Sequence, residues 1–303
     1  LISNLGNGIA PVALAFGVLG LPGATPTSLS IVMFCHMGPI VAFMLIGGVI
    51  ADRFPRALLI AVTDMVLSAF VITNGVMLHV GTATVTTIAV IALLSGTLNA
   101  AWWPAMSGLM PELVEGHDLQ QANSIIGMAT NAASIIGTVI GGALVAGIGA
   151  GPAIVVDGLT FLVAGLLVFT LRGTGTRREM TEHSPSVFDD LVHGWREFTR
   201  LRWVVVVVAG YSILAMVFES LVAVLGPVRS KEVLGGPRPW SYVLAAWSVG
   251  MMIGVVWMLR VRLKRPLFTA MVWQLGMVSW FFALGYTTNL IVIMAAAFVC
   301  GIG

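Results

Sequence analysis

The chain alternates long, uninterrupted apolar runs with short polar interruptions. Runs bounded by charges, glycine and proline, or polar clusters cover roughly residues 1–20, 27–50, 57–80, 85–104, 121–147, 152–171, 203–227, 239–259, 266–286 and 290–303. Most have about the 20 residues that an α-helix needs to cross a hydrocarbon layer roughly 30 Å thick. They are continuously apolar, whereas the strands of a membrane barrel are about ten residues long and alternate. A helix also satisfies its backbone polar groups within each segment, as lipid requires. The pattern therefore predicts an all-α integral membrane protein with about ten transmembrane helices.

Composition removes the competing classes. Apolar residues make up 58% of the chain and charged residues 9%, against about 25% charged in ordinary globular proteins. Neither a soluble domain nor a disordered chain fits, since disorder needs low hydrophobicity and high charge. The net charge of +2 gives no ground for a nucleic-acid partner. Cys35 and Cys300 lie in separate apolar runs with no CxxC or Cys/His partner, so neither a disulfide scaffold nor a zinc site is indicated. The chain has no HExxH, P-loop lysine or G-x-S-x-G. Asp189-Asp190 lacks the second acidic partner that a magnesium-diphosphate site would need. No cofactor, metal or catalytic residue is expected, and a membrane-embedded enzyme is the remote alternative. The expected partners are a small-molecule substrate and the lipid bilayer, with the protein acting as a monomer.

The chain opens at Leu1 already inside an apolar run, and the run from Leu290 stops at Gly303. That last run is shorter than a bilayer crossing, so the chain is expected to be a fragment of a longer protein. Basic residues set the orientation. With the N-terminus cytoplasmic and every run crossing, the inner loops take Arg53 and Arg56, then Arg172 to Arg202, then Arg260 to Arg265. Of the 15 basic residues only Arg229, Lys231 and Arg238 fall outside, as the positive-inside rule requires of a cell-membrane protein in this orientation. The long hydrophilic stretch 172–202 begins with the linker Gly173-Thr-Gly-Thr176. From Ser186 it turns amphipathic, with Phe188, Leu191, Trp195 and Phe198 on one face of a helix suited to the membrane surface. The chain thus divides into 1–171 with six spans, a linker over 172–202, and 203–303 with four more.

The loop after the second span reads Gly48-Val-Ile-Ala-Asp52-Arg53-Phe54-Pro55-Arg56. It resembles the signature G-x-x-x-D-R-x-G-R of the major facilitator superfamily, with Pro55 where glycine is usual. The six-span unit repeated about a linker is that superfamily's layout. The resemblance implies two pseudo-symmetric six-helix halves and a cytoplasmic charge relay of Asp52, Arg53 and Arg56, with Gly48 allowing close helix approach. Pro104-Ala-Met-Ser-Gly-Leu-Met-Pro111-Glu-Leu-Val114, followed by Leu119-Gln-Gln-Ala-Asn123, is similar to the transmembrane-effector branch of that superfamily. That branch includes enterobactin-type siderophore exporters and actinobacterial multidrug efflux proteins, and its usual arginine is replaced here by Met106. In the fifth span Gly137-Thr138-Val-Ile-Gly141-Gly142 resembles the exporter-associated antiporter motif G-P-x-x-G-G, with Thr138 in place of proline. The same spacing also suits a small-xxx-small packing face.

Acidic residues within spans are costly and mark functional candidates. Glu219, deep in the seventh span with no basic neighbour, is the first candidate for a proton or a cationic substrate group. Asp64 in the third span fits a packing or gate role. Asp157 is expected near the outer N-terminus of the sixth span, where a helix start favours an acid. His36 and His79 read as packing residues. Ser3, Asn4 and Asn7 interrupt the first span and point to a face on a central cavity. Trp102, Trp103 and Trp240 fit membrane-interface positions in preference to a cavity wall. The resulting expectation is a proton-coupled secondary exporter of a small amphiphilic molecule such as a drug or siderophore, the alternative being an uptake permease of the same fold.

Overall fold

The computed structural model describes residues 2–114, 119–170, 195–260 and 276–302. The described regular structure is helical: α1 (Ile2–Leu19), α2 (Pro26–Arg53), α3 (Arg56–Val80), α4 (Val85–Leu113), α5 (Leu119–Ile148) and α6 (Ala150–Thr170). After a helical turn over 195–200 come α7 (Arg202–Leu234), α8 (Pro237–Arg260), α9 (Gly276–Tyr286) and α10 (Leu290–Ile302). Helices α1 to α7 are each long and apolar enough to cross a bilayer. The linker from 172 to 194, with the amphipathic face at Phe188 and Leu191, lies outside the described residues. So do Arg262, Lys264, Arg265 and the first part of the ninth span.

Local signals set the helix ends. Thr25 caps α2 through a capping box: its hydroxyl accepts from the Ser28 N–H at 3.3 Å and the Ser28 hydroxyl accepts from the Thr25 N–H at 3.2 Å. Pro26 follows at the first helical position, where its missing N–H costs nothing. Gly81 ends α3 in the left-handed region at φ 78°, which glycine adopts without a steric penalty.

Helices pair through glycines. In lipid there is no hydrophobic drive between helices, so close backbone packing holds the bundle together. Helix α1 packs on α5 and α6, α2 on α4, and α3 on α6. A β-carbon on Gly47 would collide with the Ala100 carbonyl of α4, and one on Gly75 would lie 2.8 Å from the Gly151 carbonyl of α6. Helices α8 and α10 pair in the same way, through Gly250, Gly254 and Gly301. This pairing falls six helices after that of α2 with α4. The outward faces stay apolar and exposed, as at Phe34, Val41 and Ile291, where lipid is the matching solvent.

Two expectations change. The seventh span runs past residue 227 to Leu234, so Arg229 and Lys231 sit on a helix and not in a loop. Gly226-Pro227 would ordinarily end it, because proline removes a backbone N–H and crowds the preceding turn. Two π-helical turns, Leu221–Leu225 and Ser230–Leu234, flank the proline and absorb the misfit. The Gly226 N–H accordingly bonds the Leu221 carbonyl, five residues back. Trp240 is 1% exposed, a core residue where an interface position was expected. Glycine at 226 leaves the space that its indole fills, and it stacks on Trp280 at 6.2 Å between ring centroids.

At the end of the bundle where α1 stops and α2 starts, the early and late helices meet. Val224 and Val228 of α7 pack against the cluster that Val18, Leu29 and Val32 form where α1 ends and α2 begins. Lys231 Nζ donates to the Leu19 carbonyl at the C-terminus of α1, where the helix dipole favours a cation. Arg229 donates to the Leu284 and Gly285 carbonyls at 3.3 and 3.4 Å, tying α7 to α9.

Candidate functional site

Three places gather the residues singled out in the sequence. At the loop between α2 and α3, Arg56 donates to the Gly108 carbonyl of α4 at 2.6 Å and to Asp52 Oδ1 at 3.2 Å. The Arg56 side chain is 17% exposed and that of Asp52 73%, so the arginine is the anchor and the aspartate its solvated partner. Gly108 is required for this contact, since a β-carbon there would overlap the guanidinium. Arg53 is exposed. Gly48 does not make the close approach expected of it: nothing lies within 4 Å of a β-carbon there, and Gly47 meets α4 instead. The helical period explains the difference, because adjacent residues point about 100° apart.

The second place is the seam of α5. A β-carbon on Gly137 would collide with the Leu5 carbonyl of α1, and one on Gly141 would lie 2.8 Å from Ile9 Cα. Gly142 turns the other way and seats Ser241 of α8. Thr138 is buried, and its hydroxyl donates to the Ser134 carbonyl one turn back at 2.9 Å. A proline here would have removed a backbone N–H; threonine keeps it and adds only the back-bond. Along α1, Asn7 donates to Asn4 at 3.4 Å and Asn4 donates to Thr130 of α5 at 3.5 Å.

The third place is a cavity of about 130 Å³ inside the first six helices. Its polar lining comes from five of them: Asn7 of α1, His36 of α2, Asn74 of α3, Ser95 and Asn99 of α4, and Asp157 of α6. Asp157 and Asn74 are 3% and 7% exposed. Oδ1 of each has no hydrogen-bond partner. The expected placing of Asp157 at a helix start is therefore corrected: α6 begins at Ala150, so Asp157 lies about two turns inside. There it faces α1 at Gly6, where a β-carbon would strike its carboxylate. His36 faces the Ala92 carbonyl of α4.

The structure separates the three candidates Asn7, Asp64 and Glu219. Asn7 is on the cavity. Asp64 is 2% exposed and lies beside the Trp102 indole, although neither Asp64 Oδ1 nor Trp102 Nε1 has a hydrogen-bond partner. Glu219 is exposed on α7, whose segment Arg202–Ser220 has no buried residue. Its neighbour Phe218 points inward instead, onto Trp247 and Trp280 at 5.4 and 5.8 Å. Sequence reasoning passed over Asn74, Ser95 and Asn99. The available signal was the i, i+4 spacing of Ser95 and Asn99, which puts both on one face of α4. Among the described residues no group of three or more metal-ligating side chains is present.

The sequence matches the family model of the Major Facilitator Superfamily over residues 1–303. It is 26% identical over 268 residues to the multidrug efflux pump Tap of Mycolicibacterium fortuitum, a match covering 84% of this chain and 64% of that protein. It is 29% identical over 170 residues to the staphyloferrin A transporter of Staphylococcus aureus (strain NCTC 8325 / PS 47), covering 55% of this chain and 42% of that one. An uncharacterized MFS-type transporter of Bacillus subtilis (strain 168), YkuC, is 24% identical over 314 residues, covering 99% and 72%. The chain thus spans 64% of the length of the efflux pump and 42% of that of the staphyloferrin A transporter.

Proposed function

Because the chain belongs to the Major Facilitator Superfamily, we propose that this membrane transporter is a proton-coupled exporter. It moves a small amphiphilic molecule, of the drug or siderophore kind, out across the cell membrane by alternating access, with its N-terminus in the cytoplasm. The observation that carries the reading is the α5 seam. Gly137 and Gly141 seat α1, and Gly142 seats α8, so one glycine-rich helix joins the early helices to the late ones. This is the place in the chain that resembles the antiporter motif. The names of two relatives, a multidrug efflux pump and a staphyloferrin A transporter, point to the same substrate range.

In this reading the protein works as a monomer whose two halves rock about a midplane cavity. Asp52, Arg53 and Arg56 organise the inner gate, with Arg56 latched to α4. Lys231 and Leu19 close the outer one. Asn7 lines the path between them, and the exposed carboxylate of Glu219 meets the positive end of a cationic substrate. Asp64 stiffens the inner end of the bundle beside Trp102.

The test is efflux of ethidium and of an iron-free siderophore from energised cells expressing the full-length protein, with and without a protonophore. The expected result is accumulation that falls on expression and recovers when the proton gradient collapses. Accumulation that rises with expression would overturn export and make the protein an uptake permease.

A further inference from the structure

Asp157 sits in an arrangement that the exporter reading does not use. It is buried about two turns inside α6, it borders a cavity, and one of its oxygens has no hydrogen-bond partner. Asn74, on the same cavity from α3, also leaves its side-chain oxygen unpaired. Leaving a buried acceptor unsatisfied is unfavourable, by about 1–3 kcal/mol each and more for a charged group. Two such acceptors from different helices on one cavity are therefore a demand for a donor. No lysine or arginine lines the cavity. Among the described residues the lining holds no fixed cation, and a proton taken up from outside would supply the donor that both acceptors lack.

The groups around Asp157 narrow what that donor is. Helices α1 and α5 carry no titratable side chain between Ile2 and Ile148 within their own spans. From α2 the cavity receives His36, from α4 only Ser95 and Asn99, and from α3 only Asn74 among polar groups. Asp64 lies ten residues before Asn74 on α3, about 15 Å away along the helix axis. Among the described residues His36 is thus the one other titratable group facing this cavity. The volume of about 130 Å³ holds several waters at about 30 Å³ each, and Asp157, Asn74 and Asn7 all border it. Asn7 is exposed and hydrogen-bonded to Asn4 on the open side of α1, which gives the buried carboxylate a polar route out.

We infer that Asp157 and Asn74 form an intramembrane proton-binding site in which Asp157 is the group protonated and released in each transport cycle. This deepens the exporter reading and rests on it. The step is a simple acid–base one: an O–H bond forms at the Asp157 carboxylate when a proton enters and breaks when the proton leaves, with no redox partner. The protonated carboxyl is a donor, which answers the unpaired Asn74 oxygen directly or through water. The deprotonated carboxylate restores the demand. Glycine at position 6 is part of the site, because any side chain there would push Asp157 off the α1 face.

The experiment uses the full-length protein in proteoliposomes with ethidium as the probe. Two modes are compared: gradient-free exchange of ethidium, and uphill movement driven by an imposed pH difference in sodium-free buffer. The wild-type protein should do both, and failure of both would sink the exporter reading before the site is tested. Asp157→Asn should lose the pH-driven mode completely, and the exchange it retains should no longer depend on pH. Asp157→Asn that still concentrates ethidium like the wild type would overturn the site, as would wild-type transport driven by a sodium gradient and indifferent to pH. Should Asp157→Asn prove unstable in detergent, Asn74→Leu supplies the second reading. It is expected to move the pH midpoint of uphill transport, and an unmoved midpoint would refute the pairing. Proton release to a pH indicator on adding ethidium to purified protein should be present in the wild type and absent in Asp157→Asn.

Discussion

Replacing Arg56 by alanine should weaken the α2–α4 end of the bundle far more than neutralising its acidic partner. The Arg56 guanidinium donates at 2.6 Å to the Gly108 carbonyl from a side chain only 17% exposed. A hydrogen bond with one charged partner contributes about 1.5–3 kcal/mol. The ion pair to Asp52 spans 3.2 Å, but the aspartate is 73% exposed, and an exposed i, i+4 pair is worth about 0.3–0.5 kcal/mol. Arg56→Ala is therefore expected to cost about 2 kcal/mol and Asp52→Asn about 0.5 kcal/mol. Gly108→Ala tests the geometry without touching a charge. Its β-carbon evicts the guanidinium, while alanine gains about 1 kcal/mol of helix propensity over glycine. The net loss in the wild-type background is then about 1 kcal/mol, and in the Arg56→Ala background the same change becomes a gain of about 1 kcal/mol. The double-mutant cycle should report a coupling of about 2 kcal/mol. Equilibrium unfolding of the full-length protein, followed by tryptophan fluorescence, measures all four corners. A coupling near zero, or an Asp52→Asn loss equal to that of Arg56→Ala, would refute the assignment of the anchor to the α4 carbonyl.

Three further outcomes follow from the same contacts. Gly137→Leu should destabilise the protein by about 3 kcal/mol through overpacking against α1. Gly147→Leu, on the same helix with nothing within 4 Å, should be neutral; equal melting of the two variants in detergent would show that the α1–α5 contact gives way easily. Lys231→Met removes the donor to Leu19 and should raise labelling by an external thiol reagent of a cysteine placed at Val18, and unchanged labelling would mean that packing alone closes the outer end. Glu219→Gln should raise the apparent KM for ethidium while sparing an uncharged substrate, and an equal effect on both would remove Glu219 from cation recognition.

The sequence by itself determined the number and limits of most spans and the chemical class of the molecule. Those are local properties: apolar run length is set by bilayer thickness, and helix ends by residues such as Thr25, Pro26 and Gly81 acting on their own turn. The loop signature at Asp52 to Arg56 and the glycines of α5 were legible for the same reason, since each motif is a short run. Tertiary structure decided what those residues touch. Nothing in the spacing of Arg56 names Gly108 as its acceptor, and only the packing of α2 on α4 chose Gly47 over Gly48. Pro227 read as the end of a helix because the cost of a proline is local. The π-helical turns that carry α7 past it are held by contacts with α1 and α2, far away in sequence, and with Trp240 of the next helix. Asp157 is the sharpest case. Seen along the chain it is an acid shortly after Gly151-Pro152, suited to a helix start. In the bundle it is a buried carboxylate beside Asn74, His36, Ser95 and Asn99, because five helices converge there and burial is a property of all of them together.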